Sequence, residues 1–374
     1  MSKKVGFGTT LLDKGLSGAG IDGIGQYCRE LLNQFSTDSH ELEVIPYSFG
    51  VSNSTSGAQE IPRYPIHLIE SMLSIKKYST TQKYFESVDL IHCTDQLIPI
   101  APNKPLVATV MDTIPLSHPG FIKTRSRFIK PLLWKKLTAR ANHIITISEF
   151  SKGEIIKLMG FPEERVTSIP LGVDERFFTR IPEQEIRETL KKLNILNPFF
   201  LFLGSIQPRK NLLNIIRAHS TLPNNLAKEF PLVIAGKLAW DNGDTLLEIQ
   251  KGISDKRCIW VNYVSDFEKR CLLQSSIGMV FASLYEGFGL PILEAFASQT
   301  PVLTSNCTSM PEVAYGNALL VDPLDIESMR DGLLVLLYKQ DKVQNLKDGG
   351  LQRAKLFTWG KVAIDTQKVY RSLL

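Results

Sequence analysis

The chain has 374 residues, of which 43% are hydrophobic and 22% charged, and its formal net charge is +5 at pH 7. At about two ordinary domains in length, this composition supplies apolar material for two cores and excludes a largely disordered chain. No apolar run approaches the ~18 residues that a membrane-spanning helix needs.

The first residues, MSKKVGFGTTLLDKG, begin with charges and lead at once into a short strand and glycines. They lack the apolar stretch and the small-residue cleavage site of a secretory signal. The five cysteines are scattered and form no CxxC pair, which argues against disulfides and against a cysteine zinc site. The sequence therefore predicts a cytoplasmic protein with reduced thiols.

Short apolar runs rich in β-branched residues alternate with longer helical patterns along the whole chain. This alternation predicts an α/β fold whose parallel strands are covered by helices on both faces. The runs in the first half are 4–7, 42–45, 90–92, 105–111, 143–147 and 166–169. Those in the second half are 199–204, 232–235, 258–261, 277–282, 302–304 and 318–321.

The two sets of runs predict two doubly wound, Rossmann-like domains that face each other across a cleft. We place the boundary near Arg180, which gives domains at 1–179 and 180–357, and we expect helix 358–374 to pack back on the first domain. Ligands of open α/β sheets bind beyond the strand ends where the strand order reverses, usually between the first and fourth strands. In the second domain, the loops after 199–204 and 277–282 lie at that point.

A basic segment precedes the end of the first domain. No acidic residue occurs from Thr113 to Ser148. Within 121–140, the cations Lys123, Arg125, Arg127, Lys130, Lys135, Lys136 and Arg140 are interleaved with Phe121, Phe128, Leu132, Leu133 and Trp134. Such a segment fits an anionic membrane surface or a phosphorylated acceptor, and a solvated basic helix face is the alternative. No nucleic-acid motif accompanies the charge, so we expect no nucleic-acid partner.

The first loop of interest in the second domain reads GSIQPRKNLLNIIRAH. Arg209 and Lys210 directly precede an amphipathic helix that we expect to start around Asn211. A helix N-terminus offers free N–H groups and a positive dipole end. Adjacent Arg and Lys side chains add charge-assisted hydrogen bonds to an anion. We interpret the loop as a diphosphate site; a chance pair of surface cations before a helix is the alternative.

The second loop, FASLYEGFGLPILEAFASQTPVL, carries two carboxylates. Gly287, Gly289 and Pro291 lie between Glu286 and Glu294 and exclude one continuous helix. We therefore expect Glu286 in the loop and Glu294 in the opening turn of a helix that begins near Pro291. For Glu294, a first-turn acid that complements the helix dipole is the alternative.

Paired carboxylates in such a loop can accept hydrogen bonds from sugar hydroxyls. The backbone N–H groups available to a polar ligand between them belong to Gly287, Phe288, Gly289 and Leu290.

Several segments of the chain resemble the motifs of a known enzyme family. EGFGLPILE resembles the E-x7-E motif of glycosyltransferase family 4, whose members are retaining enzymes of the GT-B fold. RKNLLNIIRA resembles the donor-phosphate segment of that family, TISEFSKGEIIKLMG followed by VTSIPLGVDERFF its approach to the linker, and GIGQYCRELL its N-terminal glycine loop. These segments occur in the family's order and cover most of the chain.

The resemblance implies a nucleotide diphosphate-sugar as donor. Arg209 and Lys210 would hold the donor diphosphate, Glu286 would contact the transferred sugar in catalysis, and Glu294 would contact the nucleotide ribose. The remaining donor contacts would come from Gly23, Ile24 and Gly25, which would close over the phosphates from the first domain, and from Tyr263 and Val264 near the base.

The first domain departs from the family's pattern. Many relatives carry a His-Asp pair after the fourth strand, whereas this chain reads VATVMDTIPLSHP, with Met111 in the place of the histidine. Asp112 is retained and is a candidate catalytic residue. His118 either substitutes for the missing histidine or is an ordinary loop histidine. Gln26 occupies a position where many relatives have arginine, which weakens a phosphate role there.

We predict a retaining, metal-independent hexosyltransferase that requires no cofactor. The sequence contains no D-x-D metal motif, so the cations and helix N-termini would stabilise the leaving diphosphate. GDP-mannose is the preferred donor and a glycan or lipid-linked molecule the acceptor, in bacterial surface polysaccharide synthesis. The protein would work in the cytoplasm, at the inner face of the membrane if the basic segment binds lipid.

Three other functions are compatible with Rossmann-like domains. A nucleotide-sugar epimerase of the same fold would isomerise the donor without an acceptor, and a non-catalytic nucleotide-sugar-binding protein would bind it without transfer. A nucleotide-dependent oxidoreductase expects GxGxxG tightly after the first strand and an acid ~20 residues later. GLSGAGIDGIG follows its strand too loosely and lacks that acid.

Overall fold

A computed structural model describes residues 2–37, 42–51, 54, 56–72, 80–101, 103–121, 129–240 and 243–374. It divides into two compact units, one formed by Met1–Gly172 with Trp359–Leu374 and the other by Val173–Thr358. The division falls before Arg180 because the segment after Gly172 is bonded into the second unit. Val173 N–H donates to Phe357 O at 3.0 Å, and Phe177 is buried.

The sheet of the first unit is parallel, with strand order β3-β2-β1-β4-β5-β6-β7 among the described residues. Its strands are β1 Lys3–Gly8, β2 Leu42–Phe49, β3 Gln59–Ile61, β4 Leu90–Cys93, β5 Leu106–Thr109, β6 His143–Thr146 and β7 Val166–Ser168. The helices are α1 Thr10–Lys14, α2 Gly23–Thr37, α3 Tyr64–Met72, α4 Thr80–Glu86, α5 Ile114–Ser117, α6 Ile129–Thr138 and α7 Glu149–Glu154. Its core includes Tyr47, Ile91, Ala108 and Ile144.

Strand β3 is absent from the sequence prediction. Its three residues, QEI, are too short and too polar to stand out as an apolar run, and only Ile61 is buried. The strand pairs with the end of β2, where Ile61 lies opposite Phe49. As a result, the strand before Asp112 is the fifth in chain order, not the fourth.

The sheet of the second unit is also parallel, with strand order β10-β9-β8-β11-β12-β13. Its strands are β8 Phe200–Leu203, β9 Leu232–Ala235, β10 Cys258–Asn262, β11 Gly278–Phe281, β12 Val302–Ser305 and β13 Leu319–Val321. All six were predicted, because each contains a short apolar run, although in β10 only Cys258 is buried and in β13 Leu320 is exposed. The strand order reverses between β8 and β11, the first and fourth strands of this unit, as expected.

Helices flank this sheet: α8 Glu183–Lys192, α9 Leu212–Ser220, α10 Asn224–Glu229, α11 Asp244–Ser254, α12 Asp266–Ser275, α13 Leu290–Ala297, α14 Met310–Ala314, α15 Ile326–Tyr338 and α16 Gln340–Ala354. The core between strands and helices contains Phe202, Ile216, Ile234, Val280 and Leu333, all fully buried or nearly so. This packing fixes the carboxyl ends of β8 and β11 side by side.

The last helix, α17 Trp359–Leu373, belongs to the first unit and packs against α2. A buried polar contact joins it to the sheet: the Tyr370 hydroxyl lies 2.6 Å from His92 Nδ1, and His92 Nε2 lies 2.7 Å from Thr109 Oγ1. Burial lowers the pKa of His92 to about 3. In the unfolded chain, the His92 ring binds a proton below about pH 6.5, whereas in the folded protein it stays neutral down to about pH 3. His92 therefore increasingly favours unfolding as the pH falls from about 6.5 to about 3.

Replacing Tyr370 by phenylalanine removes the hydroxyl that bonds the buried His92 ring. We expect the first unit to lose about 1–3 kcal/mol of unfolding free energy, the cost of an unsatisfied buried polar group. Urea unfolding, with hydrogen exchange in α17 and β4, measures the loss. Tyr338→Phe, at an exposed tyrosine of α15, is the control; an equal loss in both variants would contradict a specific role for the contact.

Candidate active site

The loops that follow β8 and β11 are bonded to each other. Leu284 N–H, beyond β11, donates to Arg209 O at 2.8 Å. The Asn211 amide donates to Ala282 O at 3.0 Å and to Pro323 O at 2.7 Å. The point of strand reversal therefore brings together the two loops that the sequence singled out.

The helix starts around Asn211, as the sequence predicts. Pro208–Lys210 form a short 3-10 turn, Asn211 adopts φ 59°, and α9 begins at Leu212. Asparagine tolerates this left-handed conformation better than most residues. Arg209 and Lys210 consequently lie in a separate turn that precedes α9.

Two cations share one carboxylate in this turn. Arg209 Nη1 lies 2.8 Å from Glu286 Oε2, and Lys210 Nζ lies 2.6 Å from Glu286 Oε1. Lys210 and Glu286 are each only 8% exposed. Lys210 Nζ also lies 4.8 Å from the centre of the Phe281 ring, at the end of β11. Arg209, Lys210 and Glu286 form what we call the ion-pair cluster.

Burial and charge act in opposite directions on the cluster. Burial tends to raise the pKa of Glu286, but the positive charges of Lys210 and Arg209 outweigh it and hold that pKa below its usual value. Burial lowers the pKa of Lys210, against the attraction of Glu286. With all groups ionised, the cluster has two positive charges and one negative charge, which leaves a surplus of positive charge for an anionic ligand.

The loop between Glu286 and α13 is held by residues that sequence reasoning missed. Ser309 Oγ contacts Glu286 O at 2.9 Å and Phe288 O at 2.7 Å, and Glu286 N–H donates to Thr308 Oγ1 at 3.3 Å. Both hydroxyls follow β12, the next strand of the sheet. A serine and a threonine after a predicted strand are too common to indicate such a role.

Helix α13 begins at Leu290, after Gly289 with φ 108°. Its first turn contains no acidic residue, so the prediction that Glu294 occupies the opening turn is wrong: Glu294 lies in the second turn. A role in complementing the helix dipole from the first turn is therefore excluded. Glu294 is 4% exposed, and its Oε1 lies 2.8 Å from Lys269 Nζ of α12.

The two carboxylates differ in their electrostatics. Burial raises the pKa of Glu294, and the single cation Lys269 opposes this shift without cancelling it. Glu286, with two cations, shifts in the other direction. The Glu294 carboxylate is therefore the one that takes up a proton more readily as the pH falls.

The residues expected near the nucleotide base lie after β10. Tyr263 is 67% exposed, and the ammonium of Lys237, which follows β9, lies 4.4 Å from the centre of its ring. Val264 is half-buried. Gly236 comes so close to β8 that an added Cβ would lie 1.8 Å from Gly204 O. No local sequence signal indicates Lys237, because its position over Tyr263 depends on the pairing of β9 with β10.

Two family models match the chain in sequence order. The model described as Glycosyltransferase Family 4 matches residues 21–177, and the model described as Glycosyl transferases group 1 matches residues 184–353. The second match contains the ion-pair cluster. The chain belongs to glycosyltransferase family 4.

This glycosyltransferase is similar to curated relatives. It is 28% identical to O-antigen chain mannosyltransferase B of Escherichia coli, over 94% of this chain and 97% of that protein. It is 32% identical to the serotype-specific mannosyltransferase WbdA of Escherichia coli. That match covers 60% of this chain and 28% of the longer relative.

Among solved structures, the glycosyltransferase matches HepE of Anabaena in complex with UDP-glucose. The TM-score is 0.77, with 16% identity, over 99% of this chain and 100% of that one. At this identity the likeness shows the fold. The predictions of family 4 membership, of a GT-B α/β fold with two parallel sheets and of a hexosyltransferase enzyme are confirmed.

In the first unit of the glycosyltransferase, the glycine loop opens α2. Gly25 N–H donates to Asp22 Oδ1 at 2.8 Å, and a Cβ on Gly25 would lie 3.0 Å from Ile21 Cγ2. Gly23 is exposed, whereas Ile24 and Gln26 are half-buried. An added Cβ would be tight at Gly25 but would meet nothing within 4 Å at Gly23, and the phosphate role of residues 23–25 stays a prediction.

Asp112 follows β5, and its Oδ1 accepts a hydrogen bond from Ile114 N–H at 3.0 Å at the start of α5. Met111, in the place of the family histidine, is half-buried. His118 is exposed, stacks on Phe121 at 5.4 Å between ring centres and lies 2.9 Å from Ser117 Oγ. These contacts fit an ordinary loop histidine.

Part of the basic segment lies outside the described residues, namely Lys123, Arg125, Arg127, Phe128 and the side chain of Lys130. On α6, Leu132 and Leu133 are 65% and 40% exposed. Lys136 and, just beyond the helix, Arg140 are exposed as well. Trp134 does not join this surface as the sequence suggested: it is 6% exposed and packs in the core because it faces the sheet.

The described ranges contain neither a metal-binding cluster nor a membrane-spanning helix. No group of three or more His, Cys, Asp or Glu side chains there is arranged to hold a metal ion. None of the helices in those ranges combines the length and the apolar character that crossing a bilayer requires.

Replacing Ser309 by alanine removes the hydroxyl shared by Glu286 O and Phe288 O. We expect a loss of about 1–3 kcal/mol in the free energy of unfolding of the second unit and faster hydrogen exchange in residues 286–290. Urea unfolding and exchange mass spectrometry measure both effects. Ser254→Ala, at an exposed serine that ends α11, serves as the control. Unchanged exchange in the loop would show that Ser309 does not hold it.

Proposed function

We propose that this enzyme transfers mannose from GDP-mannose to a glycan or lipid-linked acceptor in O-antigen synthesis, retaining the anomeric configuration and without a metal ion. The observation that carries the proposal is the ion-pair cluster: a buried carboxylate and two cations at the strand reversal of the second unit. The names of the similar proteins, which are bacterial mannosyltransferases, favour mannose and the O-antigen pathway.

The donor diphosphate would bind to Arg209 and Lys210. The guanidinium can bind two phosphate oxygens at once, and the ammonium supplies a compact charge beside it. In the structure, both cations are engaged by Glu286. A bound diphosphate would share these cations, which would release the oxygens of Glu286 to accept hydrogen bonds from hydroxyls of the transferred sugar.

Other residues of the second unit would supply the remaining donor contacts. The backbone N–H groups of residues 287–290 lie next to Glu286 and would bind the sugar or the phosphate. Glu294 would accept hydrogen bonds from the ribose hydroxyls, and the base would lie on Tyr263 and against Val264. The exposed ring of Tyr263 offers an apolar face for stacking.

The chemical step exchanges one bond at the anomeric carbon. An acceptor hydroxyl oxygen bonds to that carbon while the bond to the diphosphate oxygen breaks, and the hydroxyl proton passes to the departing phosphate. Attack on the face that the diphosphate leaves retains the configuration. Arg209 and Lys210 would stabilise the negative charge that develops on the diphosphate. We place Asp112 among the catalytic residues on the acceptor side, as the sequence predicts.

A lipid-linked acceptor would lie at a membrane surface, and helix α6 offers a candidate contact with anionic lipid. Leu132 and Leu133 are exposed apolar side chains, and Lys136 and Arg140 are exposed cations nearby. This combination suits the interface of an anionic bilayer. Binding to vesicles that contain anionic lipid, but not to neutral vesicles, would support this part of the proposal.

Replacing Glu286 by glutamine should have opposite effects on binding and turnover. Without its competing charge, Arg209 and Lys210 should bind GDP about tenfold more tightly, or about 1.4 kcal/mol. Mannose transfer should fall by at least about 100-fold, because the sugar loses a charged hydrogen-bond acceptor. Isothermal titration with GDP and a radiolabelled transfer assay measure the two quantities.

Arg209→Gln should weaken GDP binding about tenfold or more, in the opposite direction to the glutamine variant of Glu286. Arg217→Gln, at an exposed arginine of α9, removes the same charge away from the cluster and should leave binding unchanged. If the Arg209→Gln variant bound GDP and UDP with the same affinities as the unaltered protein, the diphosphate would not lie at the cluster.

Removal of divalent cations should leave turnover intact. The proposal assigns stabilisation of the leaving diphosphate to Arg209, Lys210 and the backbone N–H groups rather than to a metal ion. Initial rates of transfer from GDP-mannose, measured with and without EDTA after treatment with a chelating resin, test this. A loss of activity that Mn²⁺ or Mg²⁺ restores would show that a metal ion carries part of that role.

A further inference from the structure

Glu294 is a carboxylate in an unfavourable environment. It lies in the second turn of α13, is 4% exposed, and has buried apolar neighbours in sequence, Leu293 and Ala295. Removing an ionised carboxylate from water costs several kcal/mol unless a charged partner compensates it. A carboxyl nevertheless accepts hydrogen bonds from ribose hydroxyls most strongly when it is ionised and correctly oriented.

Lys269 of α12 supplies the compensation. Its Nζ lies 2.8 Å from Glu294 Oε1 and 4.8 Å from the centre of the Phe177 ring. The Phe177 ring is itself 3% exposed, so it restricts where the ammonium can lie. The hydrogen bond that Lys269 donates engages Oε1 of Glu294.

The position of Lys269 is set by the start of its helix. Ser265 Oγ accepts from Glu268 N–H at 3.3 Å, and Glu268 Oε2 accepts from Ser265 N–H at 2.7 Å, so α12 begins with a capping box. Lys269 lies in the next position of the helix. The capped start of α12 therefore helps to set the position from which the Lys269 side chain reaches Glu294 of α13.

The other charges around the pair do not replace Lys269. Asp266 of α12 lies 3.9 Å from Lys269 Nζ and, with Asp174, makes ionisation of Glu294 less favourable. Arg176 is engaged by Asp174 at 2.6 Å and lies 3.6 Å from Asp266. Of these groups, only Lys269 is bonded to Glu294.

We infer that Lys269 is a positioning residue for donor binding: it holds Glu294 ionised and in one orientation, so that Glu294 accepts hydrogen bonds from the ribose hydroxyls of the nucleotide. This inference rests on the proposed function, which assigns the ribose to Glu294. Lys269 acts through Glu294 and does not touch the donor itself.

The inference predicts selectivity for ribose that depends on pH. Without Lys269, burial and the nearby aspartates raise the pKa of Glu294 further, so the carboxyl binds a proton at a higher pH. A protonated carboxyl is a weaker acceptor for ribose hydroxyls. The defect should therefore grow as the pH falls from 8 to 6, and it should vanish for a nucleotide that has no ribose hydroxyls.

The experiment compares the Kd values of GDP and 2′,3′-dideoxy-GDP, and of UDP and its dideoxy analogue, at pH 6, 7 and 8. Lys269→Met keeps the length and the apolar stem of the side chain but removes the charge. We expect it to weaken binding of the ribonucleotide that the unaltered protein prefers by about tenfold at pH 7, and by more at pH 6, with the dideoxy analogue unaffected. Lys269→Arg should restore most of the loss.

Controls separate a structural effect from the proposed one. Lys191→Met removes an exposed lysine of α8, the helix that packs against α12, and should change nothing. An equal loss for the ribonucleotide and its dideoxy analogue in Lys269→Met would mean that Lys269 only supports the fold. A ribose selectivity that is unchanged in that variant would also overturn the inference.

Glu294→Gln distinguishes failure of the inference from failure of the proposed function. If this variant abolishes the preference for ribose while Lys269→Met preserves it, Glu294 binds the ribose and Lys269 has no positioning role. If the unaltered protein shows no preference for ribose, or if Glu294→Gln leaves the preference intact, the assignment of the ribose to Glu294 is wrong and the inference fails with it.

Discussion

The ion pair that joins Glu286 to Arg209 and Lys210 is the interaction on which the candidate site depends. A buried charge is tolerated only when it is paired and hydrogen-bonded, and here each member of the cluster needs the others. Without Glu286, two cations would lie side by side; without the cations, a carboxylate would be buried alone. This constraint explains why the turn after β8 and the loop after β11 have one mutual arrangement, and why an anion can enter only by sharing the cations.

The sheet supplies that arrangement before any charge is considered. Parallel strands place their carboxyl ends at one edge, and reversal of the strand order sets β8 beside β11. The bond from Leu284 N–H to Arg209 O and the two Asn211 contacts then connect the loops through backbone groups. Ser309 braces the far side of the Glu286 loop from the next strand. The cluster is thus supported by three neighbouring strands of the sheet, β8, β11 and β12. This support favours a preorganised site.

Sequence reasoning succeeded where a feature is local and failed where it depends on tertiary contact. Short apolar runs located six strands in each unit, but β3 is too short and polar to be recognised without its partner β2. Spacing correctly separated Glu286 from the helix. It did not reveal the left-handed Asn211, whose side chain is bonded to Ala282 and Pro323, or the second-turn position of Glu294. Ser309, Lys237 and Lys269 carry no local signal at all, since each acquires its place only when strands or helices distant in sequence pack together.

The two carboxylates of the motif lie in the same loop-helix segment but have different physical characters. Glu286 has two cations and a pKa held below its usual value, so it keeps its charge to a lower pH than Glu294 does. Glu294 has one cation, and burial shifts its pKa upward. If donor affinity falls toward lower pH, the proposed ribose contact at Glu294 is therefore the expected origin, rather than the ion-pair cluster. The division follows from the number of cations that each carboxylate contacts: the proposed ribose contact is more sensitive to acid than the proposed sugar contact at Glu286.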